Sequence, residues 1–163
     1  MRRLICWFMR QKQLLTGTVM MLSVTACGPF NFVQMDGVEV PTKITDFRFV
    51  EVVDQCALEV QSAESYRLLV DCWAVGKQLF VGCRDCEFSS WGAALRRDGT
   101  ARIQIHDKIY PVRAALVQDP ISIQRAWQRR VERADSSLAD QPLPAAFWLF
   151  HLASRGRNPG TDG

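Results

Sequence analysis

Apolar and polar residues alternate through positions 66–83 in two runs, YRLLVDCW and QLFVGC, separated by AVGK. Folded as a hairpin, they bring Tyr66, Leu68, Val70, Cys72, Leu79, Val81 and Cys83 onto one face, the predicted core face. With AVGK as the turn, Cys72 lies opposite Leu79 and Cys83 opposite Leu68. A second strand pair, ARIQIH and KIYPVRAALVQ, is predicted around Asp107-Lys108, with Ile105 facing Tyr110 and Ile103 facing Val112. Arg102 then falls opposite Arg113 on the other face, a like-charge pair that needs water or an anion between its members. Between the hairpins lie Cys83-Arg84-Asp85-Cys86 and a helical stretch, FSSWGAALRRDG. In that stretch Ser89 or Ser90 can cap, Trp91, Ala94 and Leu95 form a narrow apolar stripe, and Asp98-Gly99 ends the helix.

The flanking segments extend this pattern. Residues 46–53, DFRFVEVV, predict a first strand whose alternation changes phase between Phe49 and Val50, as at a bulge. In residues 56–61, Leu58 and Val60 alternate with Ala57 and Glu59. A three-residue loop near 63–65 pairs Val60 with Leu68, Leu58 with Val70 and Cys56 with Cys72, whereas a four-residue loop turns Glu59 onto the apolar face. Asp119-Pro120 is a helix start, and Ile123, Trp127, Val131 and Ala134 recur behind it at helical spacing, with Arg125, Arg129 and Glu132 on other faces. A loop, DSSLADQPLP, leads to a closing strand in AAFWLFHLASR, and residues 154–163 are expected to form a disordered tail. The fold class is therefore α+β and β-rich, with two surface helices.

The first 26 residues stand apart. MRRLICWFMRQK supplies a cationic start, LLTGTVMMLSVTA an apolar run too short to span a bilayer comfortably, and Val24-Thr25-Ala26-Cys27 follows. This resembles a bacterial lipobox and implies a cleaved lipoprotein signal peptide (1–26), with palmitate-type acylation of Cys27 and attachment to a membrane of the cell envelope. An ordinary signal peptide or a signal anchor is the alternative. Gly28, where an aspartate would signal inner-membrane retention, favours the outer membrane by resemblance to lipoprotein sorting. Residues 27–44 read as the lipidated cysteine and its tether, and 45–153 as the domain.

Composition fits this division. The 163 residues are 48% hydrophobic and 23% charged, as in an ordinary globular domain. The formal charge is +3, but Arg2, Arg3, Arg10 and Lys12 belong to the leader, and without those four of the 20 cations 16 remain against 17 anions. So neutral a mature chain argues against nucleic acid as a partner.

The order LFVGC, the Trp91 helix, TARIQIHDKIYPVRAALVQDP, the helix bearing Trp127, and FWLFHLASR resembles the deazaflavin-dependent nitroreductase family. Those proteins are split β-barrels related to the pyridoxamine-phosphate-oxidase-like fold. The resemblance covers residues 56–153 and implies an antiparallel split β-barrel, a flavin or deazaflavin cofactor, hydride transfer to quinones or nitro compounds, and a possible homodimer. It also assigns Arg67 and Trp91 as cofactor-binding candidates, Arg67 toward an anionic group. The family's basic Gly-Arg-x-x-Gly-type turn is replaced here by Gln61-Ser62-Ala63-Glu64. Its Trp-Tyr-x-Asn-Leu-like helix reads Trp91-Gly92-Ala93-Ala94-Leu95, matching at Trp91 and Leu95. Groups that would hold anionic phosphates are thus missing from those positions.

Other chemistry is sparse. Cys83-x-x-Cys86 could be a redox pair with Arg84 favouring a thiolate, a strained local disulfide, or two free thiols. Cys72 and Cys83 share a face but stand roughly 13 Å apart along the strands, beyond disulfide reach. Cys56 and Cys72, placed opposite one another, are within reach, and a Cys56–Cys72 disulfide is expected. With a single two-residue Cys spacing the sequence lacks the ligand pairs of a zinc ribbon, so no metal is assigned. His106 and His151 have no nucleophile motif beside them and read as solvated or packed. The expected function is a lipid-anchored envelope protein whose split barrel is a binding or interaction module. The alternative is a membrane-tethered flavin- or deazaflavin-dependent reductase acting on quinones or nitro compounds, with a thiol–disulfide protein behind both.

Overall fold

Alternation along the chain becomes strand pairing in the computed structural model, which describes residues 34–62, 65–134 and 141–156. The leader, Cys27 and residues 157–163 of the tail lie outside the described residues. Among the described residues seven strands form: β1 (Val38–Glu39), β2 (Gln55–Val60), β3 (Tyr66–Val75), β4 (Gln78–Cys83), β5 (Thr100–Ile105), β6 (Lys108–Leu116) and β7 (Trp148–Ser154). Two α-helices join them, α1 (Ser90–Asp98) and α2 (Pro120–Ala134). The sheet runs β6-β5-β2-β3-β4-β7 and closes by β7 pairing with β6, giving a six-stranded antiparallel barrel. Short β1 adds in parallel to β6. It lies inside the segment read as a tether, and Val38 and Val40 donate their N–H groups to the carbonyls of Asp107 and Ile109.

Closure needs one strand edge to serve two partners, and Pro111 marks where β6 divides it. Lys108 and Ile109 pair with β1, whereas Val112–Leu116 pair with β7. The Pro111 carbonyl accepts from Arg155 N (2.9 Å) on the edge where a proline has no N–H to offer. The barrel interior holds the predicted face: Leu58, Val60, Val70, Cys72, Leu79, Val81, Cys83, Ile103 and Ile105 are all buried. A second, smaller core lies outside the barrel, where Trp73, Phe80 and Leu149 are covered by Ala126 of α2, and Trp73 Nε1 donates to the Ala126 carbonyl (2.9 Å).

Both helices start where the sequence placed them, and α1 also stops there. Ser89 caps α1 by accepting from Gly92 N, and Gly99, at φ 65°, ends it in the left-handed region. Asp119 caps α2, accepting from Ser122 N (2.9 Å) and Ser122 Oγ (2.6 Å).

Four expectations are corrected. Residues 46–53 contain no strand; Arg48–Val52 form a short 3-10 helix. Phe47 and Val50, three positions apart, are both buried, so the apparent phase change is a helical spacing, and Asp46 tightens the turn by accepting from Arg48 N (3.1 Å). The β2–β3 register pairs Leu58 with Leu68 and Cys56 with Val70, two positions from that expected. In the β3–β4 hairpin Val75 pairs with Gln78, so the turn is Gly76-Lys77 alone, and Cys72 faces Val81 instead of Leu79. In the β5–β6 hairpin Ile105 pairs with Lys108, the turn is His106-Asp107, and Arg102 faces Pro111 instead of Arg113.

Candidate functional site

The outward face of β2 carries Glu59, and the corrected registers set it beside Arg67 on β3 and Arg102 on β5 in one rung. Arg67 Nε donates to Glu59 Oε1 and Arg102 Nε to Glu59 Oε2, both at 2.6 Å. Arg102 Nη1 also reaches Glu39 Oε2 of β1 at 3.5 Å. The Glu59 side chain is only 5% exposed. Burial pushes its carboxyl up, but the two charge-assisted hydrogen bonds outweigh that and hold it below the ordinary glutamate value. Arg102 does share an anion with a second arginine, but the anion belongs to the chain and the second arginine is Arg67; Arg113 faces Thr100 and Ala153. Arg67, the candidate for an anionic ligand, commits its Nε–H to this internal partner. Further along the same face of β5, Gln104 Nε2 donates to the His106 carbonyl while its buried Oε1 has no partner among the described residues.

Trp91 occupies a different neighbourhood. It is half-buried on α1, its ring centroid 6.5 Å from that of Phe150 on β7, and Trp148 approaches Phe150 at 6.4 Å. Arg96 lies over the Trp148 ring at 5.2 Å. Arg67 and Trp91 thus have separate partners, one in a polar rung and one in an aromatic group against the core.

All four cysteines among the described residues are bridged. Cys56 joins Cys72, with Cα atoms 5.8 Å apart, as diagonal neighbours on the core face and not as an opposed pair. Cys83 joins Cys86 across 5.4 Å. Both sulfurs of that short bridge are buried, and the Arg84 guanidinium, instead of facing them, lies over the Trp127 ring at 5.8 Å. Gly92 on α1 packs against Cys86, where no room is left for a β-carbon. His106 occupies the β5–β6 turn at φ 54°, and His151 packs on Phe80 at 5.4 Å, where burial lowers its pKa below the ordinary 6.5. Among the described residues no three His, Cys, Asp or Glu side chains converge to hold a metal.

One concave feature gathers charged groups from several elements. A cavity of about 330 Å³ is lined by Asp54 and Gln55 at the start of β2, Asp71 and Cys72 on β3, and Arg130 and Arg133 on the last turns of α2. Arg130 donates from Nε (3.1 Å) and Nη2 to the same oxygen of Asp71, Oδ2, and its guanidinium lies 5.2 Å from the Trp127 ring centre. Arg133 donates Nη1–H to the Val50 carbonyl at 3.1 Å, and burial lowers its pKa from the ordinary arginine value. Local sequence did not signal this site, because its residues come from segments about 60–80 positions apart in the chain.

No family model matches the chain, and no curated protein matches it. Solved structures do. A conserved hypothetical protein of Mycobacterium tuberculosis superposes with TM-score 0.54 at 14% identity, over 66% of this chain and 76% of that one. A candidate pyridoxamine 5'-phosphate oxidase of Listeria innocua gives TM-score 0.52 at 15% identity, over 65% and 87%. At such identities the likeness establishes the fold, a split barrel of the pyridoxamine 5'-phosphate oxidase-like type.

Proposed function

We propose that the chain is a lipid-anchored cell-envelope protein whose split barrel is a binding or interaction module without a flavin or deazaflavin requirement. The observation that carries this reading is the Arg67–Glu59–Arg102 rung. Arg67 gives its Nε–H, and with it part of its charge, to a buried glutamate at 2.6 Å that Arg102 also holds, so a cofactor phosphate would compete with an anion already in place. The helix bearing Trp91 supports the same reading. A tyrosine at position 92, as in the resembling family, collides with Cys86. Two disulfides within one barrel suit a compartment outside the reducing cytoplasm. Anchoring rests on the leader and Cys27, with Gly28 favouring the outer membrane.

Two measurements test this. Mass spectrometry of the mature N-terminus is expected to find an acylated Cys27, and an intact Met1 or a free Cys27 thiol rejects the anchor. Titration with flavin mononucleotide and with deazaflavin is expected to give dissociation constants on the order of 0.1 mM or weaker, since a few missing charge-assisted bonds cost several decades of affinity. Submicromolar binding that disappears in Arg67→Ala rejects this reading and moves the membrane-tethered reductase into first place.

A further inference from the structure

The cavity between β2, β3 and α2 has matched charges but unmatched partners. Of its two guanidiniums and two carboxylates, Arg130 and Asp71 are paired, through Asp71 Oδ2. Arg133 has only the neutral Val50 carbonyl as acceptor, with no carboxylate within ion-pair distance among the described residues. Asp54 has no hydrogen-bond or ion-pair partner among them either, and Asp71 Oδ1 takes none of the Arg130 bonds. Arg133 and Asp54 thus attract one another across the same cavity without direct contact, and each keeps hydrogen-bonding capacity toward it, with a second carboxylate oxygen on Asp71.

This arrangement discriminates among ligands by charge. A simple anion gains Arg133 but meets the field of Asp54 and Asp71, and a simple cation gains Asp54 but meets Arg133 and Arg130. A molecule carrying both charges satisfies both. Arginine's planar fork suits a carboxylate bidentately. A guanidinium already partly withdrawn from water, with Asp54 and Asp71 acting on it only from beyond ion-pair distance, gains most from a carboxylate in direct contact. At about 330 Å³ the cavity is at the lower end of ligand-site volumes, suiting a free amino acid or dipeptide better than a dinucleotide. Its walls are set before binding, because Cys72 is tied to Cys56 and Trp73 to the Ala126 carbonyl of α2.

We propose that this cavity binds a small zwitterion of the α-amino-acid type, its carboxylate on Arg133 and its ammonium on Asp54 and the open oxygen of Asp71. The proposal deepens the binding-module reading. The two are separable in failure, because flavin titration decides that reading and amino-acid titration decides this one.

Calorimetric titration of the full-length chain in detergent provides the test, with L-alanine and alanylalanine as zwitterions and propionate and ethylamine as their half-charged counterparts. Saturable binding of a zwitterion is expected, with both half-charged probes at least about tenfold weaker, as for loss of one charge-assisted contact. Arg133→Gln and Asp54→Asn should each weaken the zwitterion about tenfold or more. Asp54→Asn, which breaks no hydrogen bond or close ion pair among the described residues and gives up only a longer-range attraction to Arg133, should leave the thermal midpoint nearly unchanged. The proposal is overturned by no saturable heat up to about 50 mM zwitterion, by propionate or ethylamine binding as tightly as alanine, or by Asp54→Asn binding like the unaltered chain.

Discussion

Gly92, in the first turn of α1, stands directly against the sulfur of Cys86, so that a β-carbon at position 92 overlaps it and comes within 3.3 Å of the bonded Cys83 Sγ. In a free helix, replacing glycine by alanine stabilises by about 0.5–1 kcal/mol. Here the sulfur belongs to a closed disulfide and cannot swing aside, so Gly92→Ala is expected to cost roughly 1–3 kcal/mol, as overpacking does. Chemical denaturation measures it. With Cys83 and Cys86 both replaced by alanine the clash is gone, and the same Gly92→Ala change should be neutral or stabilising; an unchanged penalty in that background refutes the contact as its cause.

Glu59 makes part of the stability acid-labile. Its folded pKa lies below the ordinary 4.5, burial raising it but the hydrogen bonds from Arg67 and Arg102 lowering it more. The unfolded chain therefore takes up this proton first as pH falls. The contribution is complete above about pH 4.5 and is lost as pH descends through the depressed folded value. Glu59→Gln should flatten that limb of a stability-versus-pH curve. Glu59→Ala should cost roughly 1–3 kcal/mol at pH 7, less than a fully buried pair because both arginines are partly solvated. A Glu59→Gln curve parallel to wild type throughout the acid limb is the contrary result.

The two disulfides should differ in worth. Chain-entropy reasoning gives about 3 kcal/mol for a bridge closing a loop as long as Cys56–Cys72, with separation 16, and about 2 for one as short as Cys83–Cys86, with separation 3. Paired alanine substitutions followed by denaturation should preserve that order. Peptide mapping without reductant should join Cys56 to Cys72 and Cys83 to Cys86; a peptide linking Cys72 to Cys83 contradicts the structure.

His151 adds a second, milder pH dependence. Burial against Phe80 lowers its pKa below 6.5, so the folded state prefers the neutral ring. Stability is complete above about pH 6.5 and declines as pH falls through the folded value, because the unfolded chain protonates first. His151→Gln should remove this slope, and an NMR titration of the ring should place its midpoint below the ordinary 6.5.

Helix limits were legible because their signals are local. Asp119-Pro120 and Ser89 with Gly99 satisfy or release backbone groups within a turn of where they stand. The candidate site was not legible. Glu59 looked like a marker of the solvent face, and only the lateral assembly of β3, β2 and β5 covers it with two guanidiniums and makes it a buried anion. Asp54, Asp71, Arg130 and Arg133 likewise acquire a common cavity only when α2 packs on β3.

What the sequence determined by itself is which face each strand residue takes. In a strand the side-chain period is two, so a one-residue slip carries the whole apolar set to the wrong side, and in each of the paired strands β2 to β6 the core face read from alternation is the observed one. A two-residue slip leaves the faces intact, and alternation is blind to it. All three hairpin registers differ from expectation by two positions. In two of them a residue at positive φ decides, Gly76 at 60° and His106 at 54°, each opening a turn of two central residues. Cys56 and Cys72 still meet, as diagonal neighbours, because a slip of two keeps both on the core face. Alternation therefore specified the register only up to an even shift, and turn geometry with closure of the barrel selected among the even registers.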